Sequence, residues 1–66
     1  MAVYDVVIKI KGRTIIGETT HSLAQARKRF RWEQQRNDGR IVEIVKDGGL
    51  IESTDPEEAE YLAYTK

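Results

Sequence analysis

The sequence predicts a single small α+β domain, built on one antiparallel four-stranded sheet with its helices on one face. Three observations indicate this class. With 66 residues, the chain can bury only one thin core. Alternating apolar and polar residues indicate four short strands, and two helix-start signals indicate two helices. The predicted order is β-β-α-β-β-α, so residues 1–66 are expected to form one domain.

The first two strands are expected to form a hairpin. Residues 3–11 alternate apolar and polar side chains and are rich in β-branched residues, as are residues 14–19. Between them, Gly12-Arg13 places glycine at the first of two loop positions, which suits a type II′ turn. Such a turn would place Ile10 opposite Ile15.

A helix is expected over residues 22–37. Ser22 and Gln25 have the spacing of a capping box, and strong helix formers follow them. Asn37-Asp38-Gly39 is expected to end the helix, because glycine readily adopts the left-handed conformation that often closes one.

The remaining elements are a second hairpin and a short helix. Residues 40–46 and 50–53 are expected to be strands joined at Asp47-Gly48-Gly49. Asp55-Pro56 then gives an N-cap and a first-turn proline for a helix over Pro56–Tyr64. The apolar stripe of this helix should dock either on the sheet beside the first helix, where Leu62 would complete the core and Trp32 would stay exposed, or over Trp32. Docking on the sheet is favoured, because burial of Leu62 outweighs exposed ion pairs.

The predicted strand order is 2-1-3-4, with every neighbouring pair antiparallel. This order places the most apolar strand, residues 3–11, in the centre of the sheet, where both of its sides can be buried. The alternative order 1-2-3-4 would leave that strand on an edge, and exposed apolar edges favour aggregation.

One tryptophan lies away from the predicted core. At about 100° per residue, Leu23, Ala26 and Phe30 form the apolar stripe of the first helix, and Trp32 falls about 180° from Leu23. With its polar helical neighbours it forms a surface that we call the basic face: Lys28, Arg29, Trp32, Gln35 and Arg36. Tryptophan and arginine dominate binding hot spots, so the basic face is the predicted site for a protein partner.

Several alternatives compete for the same surface. The acidic last helix could cover Trp32, two copies of the chain could form a homodimer there, or Arg29 or Arg36 could simply stack on the ring. Nucleic-acid binding is the second functional hypothesis, with phosphates contacted by basic residues and bases stacked on an aromatic ring. Its candidate contacts are Lys28, Arg29, Arg31, Arg36, Trp32 and Tyr4.

The charge pattern bears on both hypotheses. The net charge is zero, but residues 1–46 carry ten basic and five acidic residues, while residues 47–66 carry one basic and six acidic residues. Such an asymmetry is typical of interaction with a charged partner, or of two oppositely charged elements that attract each other. The neutral total and the acidic tail weigh against nucleic acid.

No catalytic or metal site is predicted, and no cofactor is expected. The chain has one histidine and no cysteine, and its carboxylates lack the spacing of a calcium loop. Ser22 is explained by its capping role and His21 as a surface residue. With no apolar segment approaching 20 residues and no secretion signal, no membrane contact is expected and the cytoplasm is the expected location.

The architecture over residues 15–44 is a strand ending in Glu-Thr, a helix that starts at a serine and a β-branched strand. In this respect the chain looks broadly like small phage-encoded proteins that inhibit or redirect host enzymes. An aromatic anchor among arginines, on a chain too small for a catalytic pocket, predicts a non-enzymatic regulator or adaptor, and the resemblance implies a phage-type modulator of a host enzyme. Since no residue motif accompanies it, it implies no particular site residue.

Overall fold

The computed structural model describes residues 2–36 and 38–64 and contains six elements in the predicted order. The strands form one antiparallel sheet of order β2-β1-β3-β4, which confirms the predicted fold class and topology. The elements are β1 (Tyr4–Ile10), β2 (Arg13–Thr20), α1 (Leu23–Gln34), β3 (Ile41–Lys46), β4 (Gly49–Ser53) and α2 (Pro56–Tyr64).

The hydrophobic core lies between α1 and one face of the sheet. It comprises five buried residues, with Tyr4 and Ile51 packed against them at the margin: Val6, Ala26, Phe30, Val42 and Ile44. The adjacent β1 residues Val7 and Ile8 are buried as well. The central strand thus buries both of its sides, as the strand order predicted.

The β1–β2 turn differs from the predicted one. Lys11 and Gly12 both have positive φ, 50° and 76°, and this combination defines a type I′ turn. The turn therefore lies one residue earlier than expected, and Ile10 pairs with Arg13, not with Ile15. Type I′ geometry fits the twist of the two strands, and here glycine occupies its second central position.

A β-bulge further along the same pair absorbs one residue of β2. Val7 pairs with Ile16 and Val6 with Glu18, so Gly17 has no partner of its own. A side chain at Gly17 would begin 2.9 Å from Cδ1 of Ile8, so the end of the Ile8 side chain would have to shift to admit one. The bulge lies on the strand that borders α1, next to Glu18.

The start of α1 matches the prediction, and its end does not. The Ser22 hydroxyl accepts a hydrogen bond from the Gln25 N–H (3.2 Å), as an N-cap should. The Ser22 N–H donates to the Thr20 hydroxyl (3.1 Å). In a capping box the acceptor of that hydrogen bond is the side chain three residues after the N-cap, which here would be Gln25.

The helix ends at Gln34, short of the expected residue 37. Its final N–H groups bond to carbonyls three residues back, Gln35 to Trp32 and Arg36 to Glu33, which tightens the last turn. Asn37, part of the expected stop signal, lies outside the described residues.

The second helix, α2, has the predicted bounds, and the carboxylate of Asp55 caps it by accepting a hydrogen bond from the Glu57 N–H (3.1 Å). Among the described elements α2 approaches only β4, and none of its described residues is buried. The helix therefore docks on the sheet and leaves Trp32 exposed, as favoured, but it does so at the edge strand β4 and not beside α1. Leu62 lies near Ile51 but outside the core cluster, so the expectation that it completes the core is wrong.

Within residues 2–36 and 38–64, neither helix has the length and apolar character required to cross a membrane.

Candidate functional site: the basic face of α1

Trp32 lies on the outer side of α1 with 49% of its surface exposed. The guanidinium carbons of Arg29 and Arg36 lie 5.1 Å and 4.9 Å from the centre of its ring system, within the range of cation–π attraction. Arg29 precedes Trp32 by three residues on α1, a spacing that brings side chains together on a helix, and Arg36 reaches the ring from the turn just after the helix. The ring is therefore held in place by the chain's own arginines, yet half of it remains open to a partner.

Glu33 holds the side chain of Arg29 in place. Arg29 Nε donates to Glu33 Oε2 at 2.8 Å, one helical turn away, and Arg29 Nη1 lies 3.8 Å from Glu18 Oε1 on β2. Glu33 is only 2% exposed, which makes it one of two buried charged residues in the described chain. The position of Arg29 over Trp32 is thus fixed by a buried carboxylate.

The same carboxylate connects α1 to the start of β3. Arg40 Nη1 donates to Glu33 Oε1 at 2.5 Å, and Arg40 also forms a forked pair with Asp38 through Nε (2.8 Å) and Nη2 (2.6 Å). Hydrogen bonds from Arg40 lower the pKa of Asp38 to about 2, and the bonded Asp38 in turn raises the pKa of Arg40. These contacts fix the end of α1 against the sheet.

An open groove of about 400 Å³ runs along the outer side of α1. Charged, polar and aromatic side chains line it: Glu18, Gln25, Lys28, Arg29, Arg31, Trp32 and Gln35. Among the described residues, no carboxylate forms an ion pair with Lys28, Arg31 or Arg36. The groove therefore has an exposed ring and unpaired cations on the same surface.

Most of the predicted binding residues are brought together here. Lys28, Arg29, Trp32 and Gln35 line the groove, and Arg36 stacks on the ring of Trp32. Arg31, named only for the nucleic-acid hypothesis, lines the groove too. Tyr4, named for the same hypothesis, packs against the hydrophobic core and does not line the groove.

Glu18, Gln25 and Glu33 were missed by sequence reasoning. Glu33 lies four residues after Arg29, an ion-pair spacing that could have identified it. On the helical wheel it is about 80° from Leu23, beyond the stripe centred there. The buried face consists of Ala26, Phe30 and Glu33, so it is rotated toward this side. Glu18 depends on how β2 lies beside α1, and only the tertiary structure shows that.

The remaining polar groups serve the fold. Ser22 Oγ is occupied as the N-cap of α1, and Nδ1 of His21 lies 3.1 Å from the Ala2 carbonyl oxygen. In the part of the chain that the structure describes, no three His, Cys, Asp or Glu residues are grouped so that they could hold a metal ion.

Comparison with protein-family models, with curated proteins and with solved structures finds no match to this chain. The interpretation of the basic face consequently rests on its own geometry.

Proposed function

We propose that this chain is a small non-enzymatic regulatory or adaptor module of the cytoplasm that binds an acidic segment of a protein partner through the basic face. The observation that carries the proposal is the half-exposed ring of Trp32 beside cations that have no carboxylate partner among the described residues. An aromatic anchor among arginines is the composition that dominates binding hot spots. A role as a modulator of a host enzyme is the form suggested by the resemblance to small phage proteins.

The face is pre-organised for such a contact. Glu33 and Glu18 hold Arg29, and Arg29 and Arg36 hold the ring, so these side chains lose little freedom on binding. Lys28 and Arg31 are exposed and supply charge that carboxylates of the partner can neutralise. A partner that places an apolar group on Trp32 and carboxylates on either side would use every part of the groove.

The test is affinity capture from lysate of the native host, followed by titration of the captured protein. Trp32→Ala removes the anchor and is expected to weaken binding about 30-fold, equivalent to a hot spot of about 2 kcal/mol. The variant should fold, because two exposed cation–π contacts stabilise by only about 0.5–1 kcal/mol each. Circular dichroism checks this.

The matched control is Ile16→Ala, which shortens another exposed apolar side chain, paired with Val7 on the side of the sheet away from α1. It should bind as the wild type does. Unchanged binding by a folded Trp32→Ala variant would refute the proposal.

Nucleic acid is the second candidate, favoured by the unpaired Lys28, Arg31 and Arg36 beside an exposed ring. Glu18 in the groove and the pairing of Arg29 with Glu33 weaken it. Three phosphate contacts would give a slope of log K against log salt concentration of roughly −2 to −3. A lack of binding to mixed DNA and RNA at low salt would eliminate this candidate.

A further inference from the structure

The second helix exposes a stripe that resembles the groove side of α1 in spacing and opposes it in charge. Four residues at positions i, i+3, i+4 and i+7 fall within about 100° of one another on α2, and we call them the acidic stripe: Glu57, Glu60, Tyr61 and Tyr64. All four are exposed, Tyr61 by 64% and Tyr64 by 83%. They lie opposite Ala59, Leu62 and Ala63, the side of α2 next to β4.

The same spacing occurs on α1 and its C-cap. Lys28, Arg31, Trp32 and Gln35 also lie at i, i+3, i+4 and i+7, and we call them the basic stripe. All four line the groove and are exposed. Each stripe has two charged residues followed by an aromatic side chain, with bases on α1 and acids on α2. Within the described residues, neither pair of charges has an ion-pair partner.

The two stripes of one copy lie near opposite edges of the sheet. The groove includes Glu18 of β2, whereas α2 lies at β4. These are the two edge strands of the order β2-β1-β3-β4, three strand spacings or about 14 Å apart. No described residue of α2 lines the groove, and α2 does not approach α1. Complementary surfaces that cannot meet within one chain can meet between two.

We infer that the acidic stripe of α2 binds the basic stripe of α1 in a second copy of this chain, forming a two-fold dimer. The inference rests on the proposed function, since it names an occupant for the same face. In a two-fold pair each copy gives its α2 and receives that of its partner, so the contact forms twice. Tyr61 and Tyr64 then cover the exposed half of Trp32, and the carboxylates neutralise Lys28 and Arg31. A protein partner reaches the basic face only by displacing this helix, so dimerisation regulates access to it.

Sedimentation equilibrium of the full chain measures the association. The wild type should approach the mass of two copies at low salt and dissociate as salt rises, because the screening length falls from about 10 Å at 0.1 M to about 3 Å at 1 M. A wild type that stays monomeric at low salt and high concentration would overturn the inference, as would a mass that continues to rise beyond two copies.

Charge reversal identifies the surfaces. Lys28→Glu with Arg31→Glu makes α1 acidic, and Glu57→Lys with Glu60→Lys makes α2 basic. Each double variant alone should dimerise at least about tenfold more weakly than the wild type, because like charges now face each other. An equimolar mixture of the two should regain association, since both contacts in the mixed dimer are again complementary. These positions are exposed, so the fold should be retained, although Glu57→Lys places a cation in the first turn of α2, where the helix dipole disfavours it; circular dichroism checks that the helix is still formed. Absence of regain in the mixture, or wild-type dimerisation of either variant alone, would refute the assignment.

The result is separable from the test of the proposed function. Glu57→Lys with Glu60→Lys leaves the basic face intact, so this variant should still bind an acidic protein partner, with an affinity equal to or higher than that of the wild type. A monomeric wild type whose partner binding depends on Trp32 would refute the dimer and leave the proposed function standing. Partner binding that does not depend on Trp32, with dimerisation intact, would refute the proposed function and leave the dimer standing.

Discussion

Replacement of Glu33 by alanine should destabilise the domain far more than any other change to a helix carboxylate. Glu33 is 2% exposed and accepts two charge-assisted hydrogen bonds, from Arg29 and Arg40. Such bonds contribute about 1.5–3 kcal/mol each. Arg29, with 34% of its side chain exposed, can regain water, while Arg40 is 15% exposed and keeps Asp38. The free energy of unfolding is therefore expected to fall by about 2–4 kcal/mol.

That loss approaches the whole stability of a small single-core domain, about 3–5 kcal/mol. Urea unfolding followed by circular dichroism measures this loss. The emission spectrum of Trp32 should change as well, because Arg29 is no longer held over its ring by Glu33. The control is Gln34→Ala, a neighbouring exposed position of α1, which should change the free energy of unfolding by less than about 0.5 kcal/mol. A Glu33→Ala variant within about 0.5 kcal/mol of the wild type would mean that the cost of burying the charges cancels their attraction.

Three further experiments test the local structure. Arg40 lowers the pKa of Asp38 from 3.8 to about 2, so the contribution of this ion pair to stability is present above the pKa of the unfolded chain and is lost as pH falls through about 2. An NMR titration midpoint of the Asp38 carboxyl at or above 3.8 would contradict the Asp38–Arg40 pair. Gly48→Ala should cost about 1–2 kcal/mol because φ is +85°, whereas Gly49→Ala, where φ is not positive and the nearest atom is 3.5 Å away, should be nearly neutral in thermal unfolding. Ser22→Ala should cost about 1 kcal/mol by removing the N-cap of α1, and Ser22→Asp should retain most of that stability in the same assay.

The sequence by itself determined the elements and their order in the sheet. Alternation around Val6 and Ile8 defines the central strand, and Ser22 and Pro56 define where the helices begin. These signals succeed because they depend on backbone preferences and on side-chain period within a few residues. The strand order also followed, since 2-1-3-4, unlike 1-2-3-4, keeps the most apolar strand away from the edge of the sheet. The position of Trp32 away from the core was predictable for the same reason, as a consequence of the helical period.

Tertiary structure decided the features that depend on residues far apart in the chain. The β1–β2 turn lies at Lys11-Gly12 because the pairing and twist of whole strands select it, and Gly17 absorbs the extra residue beside Ile8. The burial of Glu33 requires Arg40, which reaches it only after the chain has turned from α1 into β3. Docking of α2 on the sheet was predictable, but its position at the edge strand β4, and not beside α1 where Leu62 would complete the core, depends on how the elements pack. A local pattern specifies which side of an element is apolar, but the partners of its charges are set by how the elements pack.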